Sequence, residues 1–131
     1  MPNPDMLRHE IRAAMSDLRR EEGGLYAHFV FSGAFPGFRG HFPDDPILPG
    51  VCTIQAVLVM LESEAGRPVR LDRVQRAKFH ATVSPGDAVD ITCRVRPGAG
   101  DMDDVRATVT RAGNRVAELA LRTTRETGEK T

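Results

Sequence analysis

The chain has 131 residues, and its 18 basic residues (Lys and Arg) balance 18 acidic ones, so the formal net charge is zero. This balance argues against nucleic acid or an acidic membrane surface as a partner. At this length we expect a single domain over residues 1–131, and one copy has little room for a deep, enclosed ligand cavity. Any deep site is therefore expected to need a second chain.

The cysteine content and the hydropathy of the sequence bear on disulfides, metal clusters, membrane spans and cellular location. Cys52 and Cys93 are too few for a disulfide scaffold or a thiolate metal cluster. The longest nearly apolar run, residues 51–61, is shorter than the roughly 20 residues that a membrane span needs. Because no signal-peptide pattern precedes it, the sequence predicts a cytoplasmic protein without a membrane span.

The N-terminal segment has the pattern of an amphipathic helix over residues 1–24. Asn3, Pro4 and Asp5 fit an N-cap, a first helical residue and a favourable first-turn charge. Apolar residues then recur at helical spacing, at Leu7, Ile11, Met15 and Leu18. Gly23 and Gly24 are expected to end this helix.

A strand, a long loop and a buried helix are predicted next. Apolar residues alternate from Leu25 to Ser32, which indicates a strand. The segment from Gly33 to Gly50 contains four prolines and cannot form regular structure, and a loop of this length in a small domain is usually functional. The stretch from Val51 to Ala65 is apolar on nearly all sides, which predicts a buried helix that ends at Gly66 and Pro68.

The second half of the chain carries strand patterns throughout. Alternating apolar residues predict strands over 77–83, 89–95, 105–109 and 117–121. Short turns between them favour an antiparallel meander, with Asp103 and Asp104 as solvated turn residues, and the polar tail 125–131 is expected to fray. Since no other helix is available to cover the apolar one, the sheet must wrap around it. The predicted architecture is an α+β hot-dog fold.

Four histidines are candidates for acid–base chemistry. His9, His28 and His80 fit exposed or polar-face positions, for which a structural role is the simpler interpretation. His41 lies instead in the Gly- and Pro-rich loop directly before the buried helix, and an imidazole with a pKa of about 6.5 is a suitable general base. The alternative is a loop histidine that packs for structural reasons.

Polar or reactive groups also occur at the buried helix. Gln55 and Thr53 interrupt an apolar stretch, and Gln55 is either a tether from the helix to backbone groups or a polar group facing a ligand channel. The backbone N–H of Gly50 at the helix start is suited to polarising a carbonyl oxygen. We expect Cys52 to be a small buried hydrophobe rather than a nucleophile.

Residues 40–56, with the sequence GHFPDDPILPGVCTIQA, resemble the signature of the β-hydroxyacyl-acyl-carrier-protein dehydratases of the FabZ/FabA type. That signature reads GHFP, a short variable stretch, Pro, two apolar residues, PGV, and an acidic residue fourteen positions after the histidine. Residues 77–87, AKFHATVSPGD, resemble the family's Lys-Phe strand and Pro-Gly-Asp turn. The resemblance covers about residues 25–124, and the family's hot-dog fold agrees with the predicted element order.

The resemblance implies a homodimer, or a trimer of dimers, with two acyl-thioester sites at the subunit interface. In each site, His41 of one chain faces position 55 of the other and removes the C2 proton of a 3-hydroxyacyl thioester. The Gly50 N–H binds the thioester carbonyl, while Phe42, Pro49 and Val51 contact the substrate. No metal and no organic cofactor is needed for this elimination.

The chain departs from the family pattern at position 55. Family members use Glu or Asp there to protonate the departing hydroxyl, whereas Gln55 can orient a hydroxyl but cannot deliver a proton at neutral pH. Val59 and Asp44 are further departures, at places where the dehydratases often carry Gln and usually Gly.

Three interpretations follow from the glutamine. In the first, His41 takes the C2 proton and returns it to the hydroxyl that Gln55 holds. In the second, the protein binds acyl chains or supports an active paralogue in a mixed oligomer. In the third, Gln55 positions a water for thioester hydrolysis. We rank dehydration to a trans-2-enoyl thioester first.

Partners follow from the same resemblance. The substrate is attached to an acyl carrier protein or to coenzyme A. Because carrier proteins are acidic, a basic strand is a candidate docking surface. Its residues are Arg70, Arg73, Arg76 and Lys78, for which a solvated strand face is the alternative interpretation.

Overall fold

A computed structural model describes residues 4–38 and 46–125 of the chain. Its elements are the helix α1 (Pro4–Ala14), the strands β1 (Met15–Glu21) and β2 (Gly24–Val30), a short 3-10 turn (Pro36–Phe38), the helix α2 (Gly50–Ala65), and the strands β3 (Val69–Phe79), β4 (Ala88–Pro97), β5 (Met102–Arg111) and β6 (Asn114–Arg125). Within the described residues, neither helix reaches the combination of length and hydropathy that a membrane-crossing helix requires.

The six strands form one antiparallel sheet in the order β1-β2-β4-β5-β6-β3, and α2 packs against its inner face. Eight residues of α2 are buried, including Val57, Leu58, Val59 and Met60 with no exposed surface. Alternate residues of β2, β4, β5 and β6 join them in one apolar core. Gly66 ends α2 in the left-handed region, with φ 71°. The predicted α+β architecture, a sheet around a buried helix, is confirmed.

The N-terminal helix is shorter than predicted, because α1 ends at Ala14 and the chain continues as strand β1. Met15 and Leu18 were placed on a helical face by their spacing of three residues. In the structure, a β-bulge between Ser16 and Arg19, with Asp17 at φ 56°, adds one residue to the strand. Because of this extra residue, the side chains of Met15 and Leu18 both pack against the core. Their spacing of three residues is the spacing expected on one face of a helix, although the backbone is a strand.

Strand β3 also differs from the prediction. It begins at Val69 and ends at Phe79, so Ala81 and Val83 lie beyond it. Only Val69 of this strand is buried, and Phe79 is 48% exposed. The alternation of apolar residues predicted a buried face, but β3 is the edge strand next to β6, and its residues from Arg70 to Phe79 are exposed.

The strand order corrects two further expectations. Only β4, β5 and β6 form a meander, since β3 crosses over to pair with β6. Asp103 and Asp104 belong to β5 rather than to a turn, and Asp103 is buried with Oδ2 3.1 Å from Nε of Arg125. Arg125 itself ends β6, while the rest of the predicted tail lies outside the described residues.

Candidate active site at the start of α2

The start of α2 leaves backbone N–H groups open. Pro49 occupies the N-cap position with φ −64° and ψ 146°, and no side chain caps the helix. The Cys52 N–H donates to the Pro49 carbonyl at 2.9 Å, whereas the N–H groups of Gly50 and Val51 precede the intrahelical ladder. These donors and the positive end of the helix favour an oxygen that carries negative charge.

Gly50 is matched to the ring of Phe79. A Cβ atom built on Gly50 lies 2.7 Å from Cζ of Phe79, which is too close for any side chain unless the ring moves. Val51, the next residue, is 53% exposed. The first turn of α2 therefore has a bare backbone, bordered by two exposed apolar side chains.

His41 and Phe42 lie outside the described residues, but the segments on either side of them are well anchored. Phe38 is buried and makes an edge contact with Phe35, with ring centroids 5.9 Å apart. A Cβ on Gly37 lies 2.9 Å from Sγ of Cys52, so this segment packs directly on α2. On the other side, the Leu48 N–H donates to the Val83 carbonyl at 2.7 Å. The loop thus leaves and re-enters the fold at fixed positions.

Gln55 is tied to the N-terminal helix. Its Oε1 accepts a hydrogen bond from Nε of Arg8 at 2.7 Å, and the side chain is partly buried. The contact ties the amide to a side chain of α1, whereas one interpretation of the sequence expected a tether to backbone. Thr53, the other polar residue of the stretch, is buried with 7% exposure.

Arg8 is the residue that sequence reasoning missed. The signal for it was indirect: a partly buried amide on α2 requires a hydrogen-bond partner, and α1 carries a cation in each of two successive turns, Arg8 and Arg12. Nothing in the sequence indicates which of the two reaches Gln55.

Cys52 is inert. The side chain is 2% exposed, and burial raises the pKa of its thiol to about 11. At neutral pH it stays protonated, so it is not a thiolate nucleophile. The prediction of a small buried hydrophobe is confirmed.

Residues 17–117 match the ApeI-like family, described as ApeI dehydratase. The chain belongs to this family of dehydratases. It is 39% identical over 114 residues to the 3-hydroxyacyl-[acyl-carrier-protein] dehydratase FabZ of Granulibacter bethesdensis, covering 80% of this chain and 66% of that protein. It is 32% identical over 87 residues to the FabZ of Levilactobacillus brevis, covering 61% of this chain and 58% of that protein. The chain therefore spans somewhat under two thirds of the length of these relatives.

The fold agrees with the sequence match. The dehydratase heterocomplex ApeI:P from Xenorhabdus doucetiae superposes with a TM-score of 0.68 at 17% identity, over 85% of this chain and 96% of that one. At such identity the likeness shows the fold alone, and it confirms the hot-dog fold. The predicted resemblance to FabZ-type dehydratases is also confirmed.

The other histidines of this ApeI-like chain lie in different surroundings from the start of α2. Nδ1 of His28 is 2.9 Å from Asp90, which also accepts a hydrogen bond from the Tyr26 hydroxyl. The bond from Tyr26, followed by that from His28, lowers the pKa of Asp90, and the same contact raises the pKa of Tyr26 to about 12. Nε2 of His80 lies 2.8 Å from Glu118. These pairs stabilise the outer face of the sheet.

An exposed apolar edge runs along β3 from the start of α2. It consists of Val51, Leu71, Val74 and Phe79, with 53%, 37%, 41% and 48% of their surface exposed. Edge strands of this kind present unpaired backbone groups, together with apolar side chains whose burial against another surface is favourable.

Arginines form a row across the outer face of the sheet. Arg94 on β4 is paired with Arg106 on β5, Arg106 with Ala120 on β6, and Ala120 with Arg76 on β3. The small Ala120 leaves a groove of about 200 Å³ between Arg106 and Arg76. Like charges placed directly opposite each other destabilise a sheet. We call Arg76, Arg94 and Arg106 the arginine row.

Proposed function

We propose that this ApeI-like protein is a 3-hydroxyacyl-thioester dehydratase that eliminates water to give a trans-2-enoyl thioester. The observation that carries the proposal is the start of α2, where N–H donors without a partner among the described residues lie next to Val51 and Phe79 in a chain of a dehydratase family. Gln55 lies five residues further along the same helix, about 7.5 Å along its axis. Oxyanion donors and a polar group for the hydroxyl are thus carried on one rigid element.

In the proposed reaction, His41 acts as the base and the Gly50 N–H as the oxyanion donor. The imidazole takes the C2 proton, and the electron pair of that C–H bond moves toward the thioester carbonyl, whose developing charge the N–H stabilises. The C2–C3 double bond then forms as the C3–O bond breaks. The proton on His41 passes to the departing oxygen, so the products are the enoyl thioester, water and the neutral imidazole. Gln55 holds that oxygen by hydrogen bonding, and Phe42, Pro49 and Val51 contact the acyl thioester.

The proposed site is divided between two copies in a homodimer, with His41 of one facing Gln55 of the other. The exposed apolar edge supports this part of the proposal. A second copy that pairs along β3 covers Leu71, Val74 and Phe79 and satisfies the open backbone groups of that strand. A single copy leaves these side chains in water.

We further propose that the substrate is delivered by an acidic acyl carrier protein. The arginine row supports this, because none of its three members forms an ion pair with a described acidic residue. Glu118, which also lines the groove, is paired with His80 and Arg115. A fold that accepts opposed like charges at some cost to stability gains a surface for an anionic partner. Of the basic strand predicted from sequence, Arg76 belongs to the row, while Arg73 and Lys78 are exposed on the same strand.

The proposal is tested by incubating the pure protein with a 3-hydroxyacyl and a 2-enoyl thioester. Enoyl absorbance and free thiol are followed separately, with the acyl group on carrier protein and on coenzyme A. Interconversion of the two thioesters that His41→Ala abolishes is the expected result. Release of free thiol without interconversion establishes hydrolysis instead and overturns the proposal.

A second candidate is an acyl-thioester-binding partner in a mixed oligomer. It is favoured by the structural relative from Xenorhabdus doucetiae, which is itself a dehydratase heterocomplex. This function predicts that the pure protein binds a 3-hydroxyacyl thioester without turnover and that activity needs a second chain. The same assay decides between the two functions.

A further inference from the structure

Arg8 is held from two sides. Its Nη1 donates to Oε2 of Glu62 at 2.7 Å while its Nε donates to Gln55 at 2.7 Å. Glu62 is itself fixed, since Oε2 also accepts the Val69 N–H at 3.0 Å and Oε1 lies 3.5 Å from Nη2 of Arg12. The Glu62 side chain is 13% exposed and that of Arg8 27%, so the guanidinium cannot swing freely. Gln55 thus rests against a preorganised cation.

This contact determines which end of the Gln55 amide is free. A guanidinium has donors only, so it must face Oε1, and the amide cannot be turned round without losing the bond. Nε2 has no acceptor among the described residues and keeps both of its N–H donors. Gln55 therefore offers two N–H donors to a ligand, while Arg8 occupies one of the two lone pairs of Oε1.

We propose that Arg8 is a positioning residue that turns the Gln55 N–H groups toward the departing hydroxyl, and that it makes position 55 unsuited to a carboxylic acid. This inference rests on the proposed dehydratase function. An N–H donor stabilises the charge that builds up on the oxygen as C3–O breaks, which a free amide rotating between two orientations does only part of the time. The proton itself still comes from His41.

The same cation opposes proton donation from a carboxyl group at this position. Arg8 stabilises the ionised form of any carboxyl introduced by Gln55→Glu, and an ionised carboxylate has no proton to give. The charged groups around the position are Arg8 and Arg12 on α1 and Glu62 on α2. Glu62 offsets one of the two arginines, so the three groups carry one net positive charge, which favours an ionised carboxyl at position 55. Glutamine is therefore compatible with Arg8, and a general acid is not.

Arg8 precedes the part of the chain that matches the ApeI-like family, which begins at residue 17. The device is thus built by α1 acting on α2, through residues 47 positions apart. Arg8 lies outside the matched segment and Gln55 inside it.

The test compares Gln55→Glu with the double variant Gln55→Glu/Arg8→Met, in which the arginine stem is kept and the charge removed. The pKa of the new carboxyl is measured by carbon NMR, and kcat for dehydration is measured against pH. We expect the carboxyl to titrate below the ordinary glutamic acid range in the single variant and higher in the double one. We also expect dehydration at neutral pH to be faster in the double variant than in Gln55→Glu.

Arg8→Met alone is expected to lower kcat roughly 10-fold with little change in KM, because the amide loses its orientation. Arg12→Met is the matched control: it removes a cation that touches Glu62 but not Gln55, and it should leave kcat unchanged. A carboxyl that titrates identically with and without Arg8 overturns the proposal. Equal kcat losses for Arg8→Met and Arg12→Met also overturn it. Since the NMR measurement needs no turnover, it tests Arg8 even if the proposed activity fails.

Discussion

The exposed edge of β3 allows a direct test of the proposed dimer. Val74 on β3 and Val95 on β4 are 41% and 43% exposed, so they are chemically matched surface valines at different places in the sheet. Val74→Asp is expected to weaken the dimer, and Val95→Asp to leave it intact. Both substitutions introduce the same charge on a strand, which separates the effect of position from that of chemistry.

The size of the effect follows from the exposed fraction. Burying a whole valine side chain contributes about 1.5–3 kcal/mol, so covering the exposed part of Val74 contributes about 0.6–1.2 kcal/mol per copy. Twofold symmetry doubles this to about 1.2–2.4 kcal/mol, or roughly 8- to 60-fold in Kd. Two buried aspartates at the interface add a desolvation cost, so the total expected rise in Kd is at least about 100-fold.

Sedimentation equilibrium over a range of concentrations measures Kd for both variants and the unaltered chain, and circular dichroism confirms that each variant is folded. If Val74→Asp dimerises as tightly as Val95→Asp, β3 is not the interface, and the divided site loses its structural support.

Three further predictions concern the site and the sheet. Gly50→Ala should displace the Phe79 ring and lower kcat/KM. A double-mutant cycle on turnover tests this, because the same substitution in a Phe79→Ala background should lower kcat/KM by a smaller factor. Equal reductions of kcat/KM in both backgrounds contradict the close contact. The hydrogen bond from Tyr26 lowers the pKa of Asp90 in the folded state, so the ionised Asp90 carboxylate stabilises the fold above about pH 3.9, the pKa of aspartate in the unfolded chain. This contribution is lost as the pH falls through the lower pKa that Asp90 has in the folded protein. Urea unfolding between neutral and acid pH should then show a shallower acid loss for Asp90→Asn, whereas parallel curves contradict that assignment. Arg106→Ala should leave the free energy of unfolding unchanged or raise it, since the substitution removes the like charge opposite Arg94. The same substitution should weaken binding of the carrier protein in a salt-dependent way. An unchanged affinity for the carrier protein contradicts the arginine row as a docking surface.

The sequence predicted most of the fold because its strongest patterns reflect burial. Eight residues of α2 between Cys52 and Leu61 are buried, as the apolar pattern predicted, whereas Val51 is 53% exposed. The prediction of a helix across Met15 and Leu18 was wrong, because the spacing of apolar residues does not distinguish a helix from a bulged strand at this point. Met15 and Leu18 sit three residues apart across a β-bulge, so their spacing is helical although the backbone is extended.

The edge strand β3 and the site show a second kind of structural feature that the sequence could not predict. The alternation around Phe79 predicted burial, but this side chain is 48% exposed in a single copy. Likewise, Gln55 could be recognised as a buried amide in need of a partner, whereas Arg8 could not be chosen as that partner. Contacts between residues 47 apart depend on how two helices cross, which periodicity does not encode.

The central claim, an elimination site divided between two copies, is tested most directly by mixing two inactive variants. His41→Ala and Gln55→Leu each disable both sites of their own homodimer. After subunit exchange, about half of the dimers are mixed, and each of these has one intact site, so dehydration of a 3-hydroxyacyl thioester should recover to about a quarter of the unaltered rate. No recovery above the two parent variants, with exchange verified by mass spectrometry, contradicts the divided site.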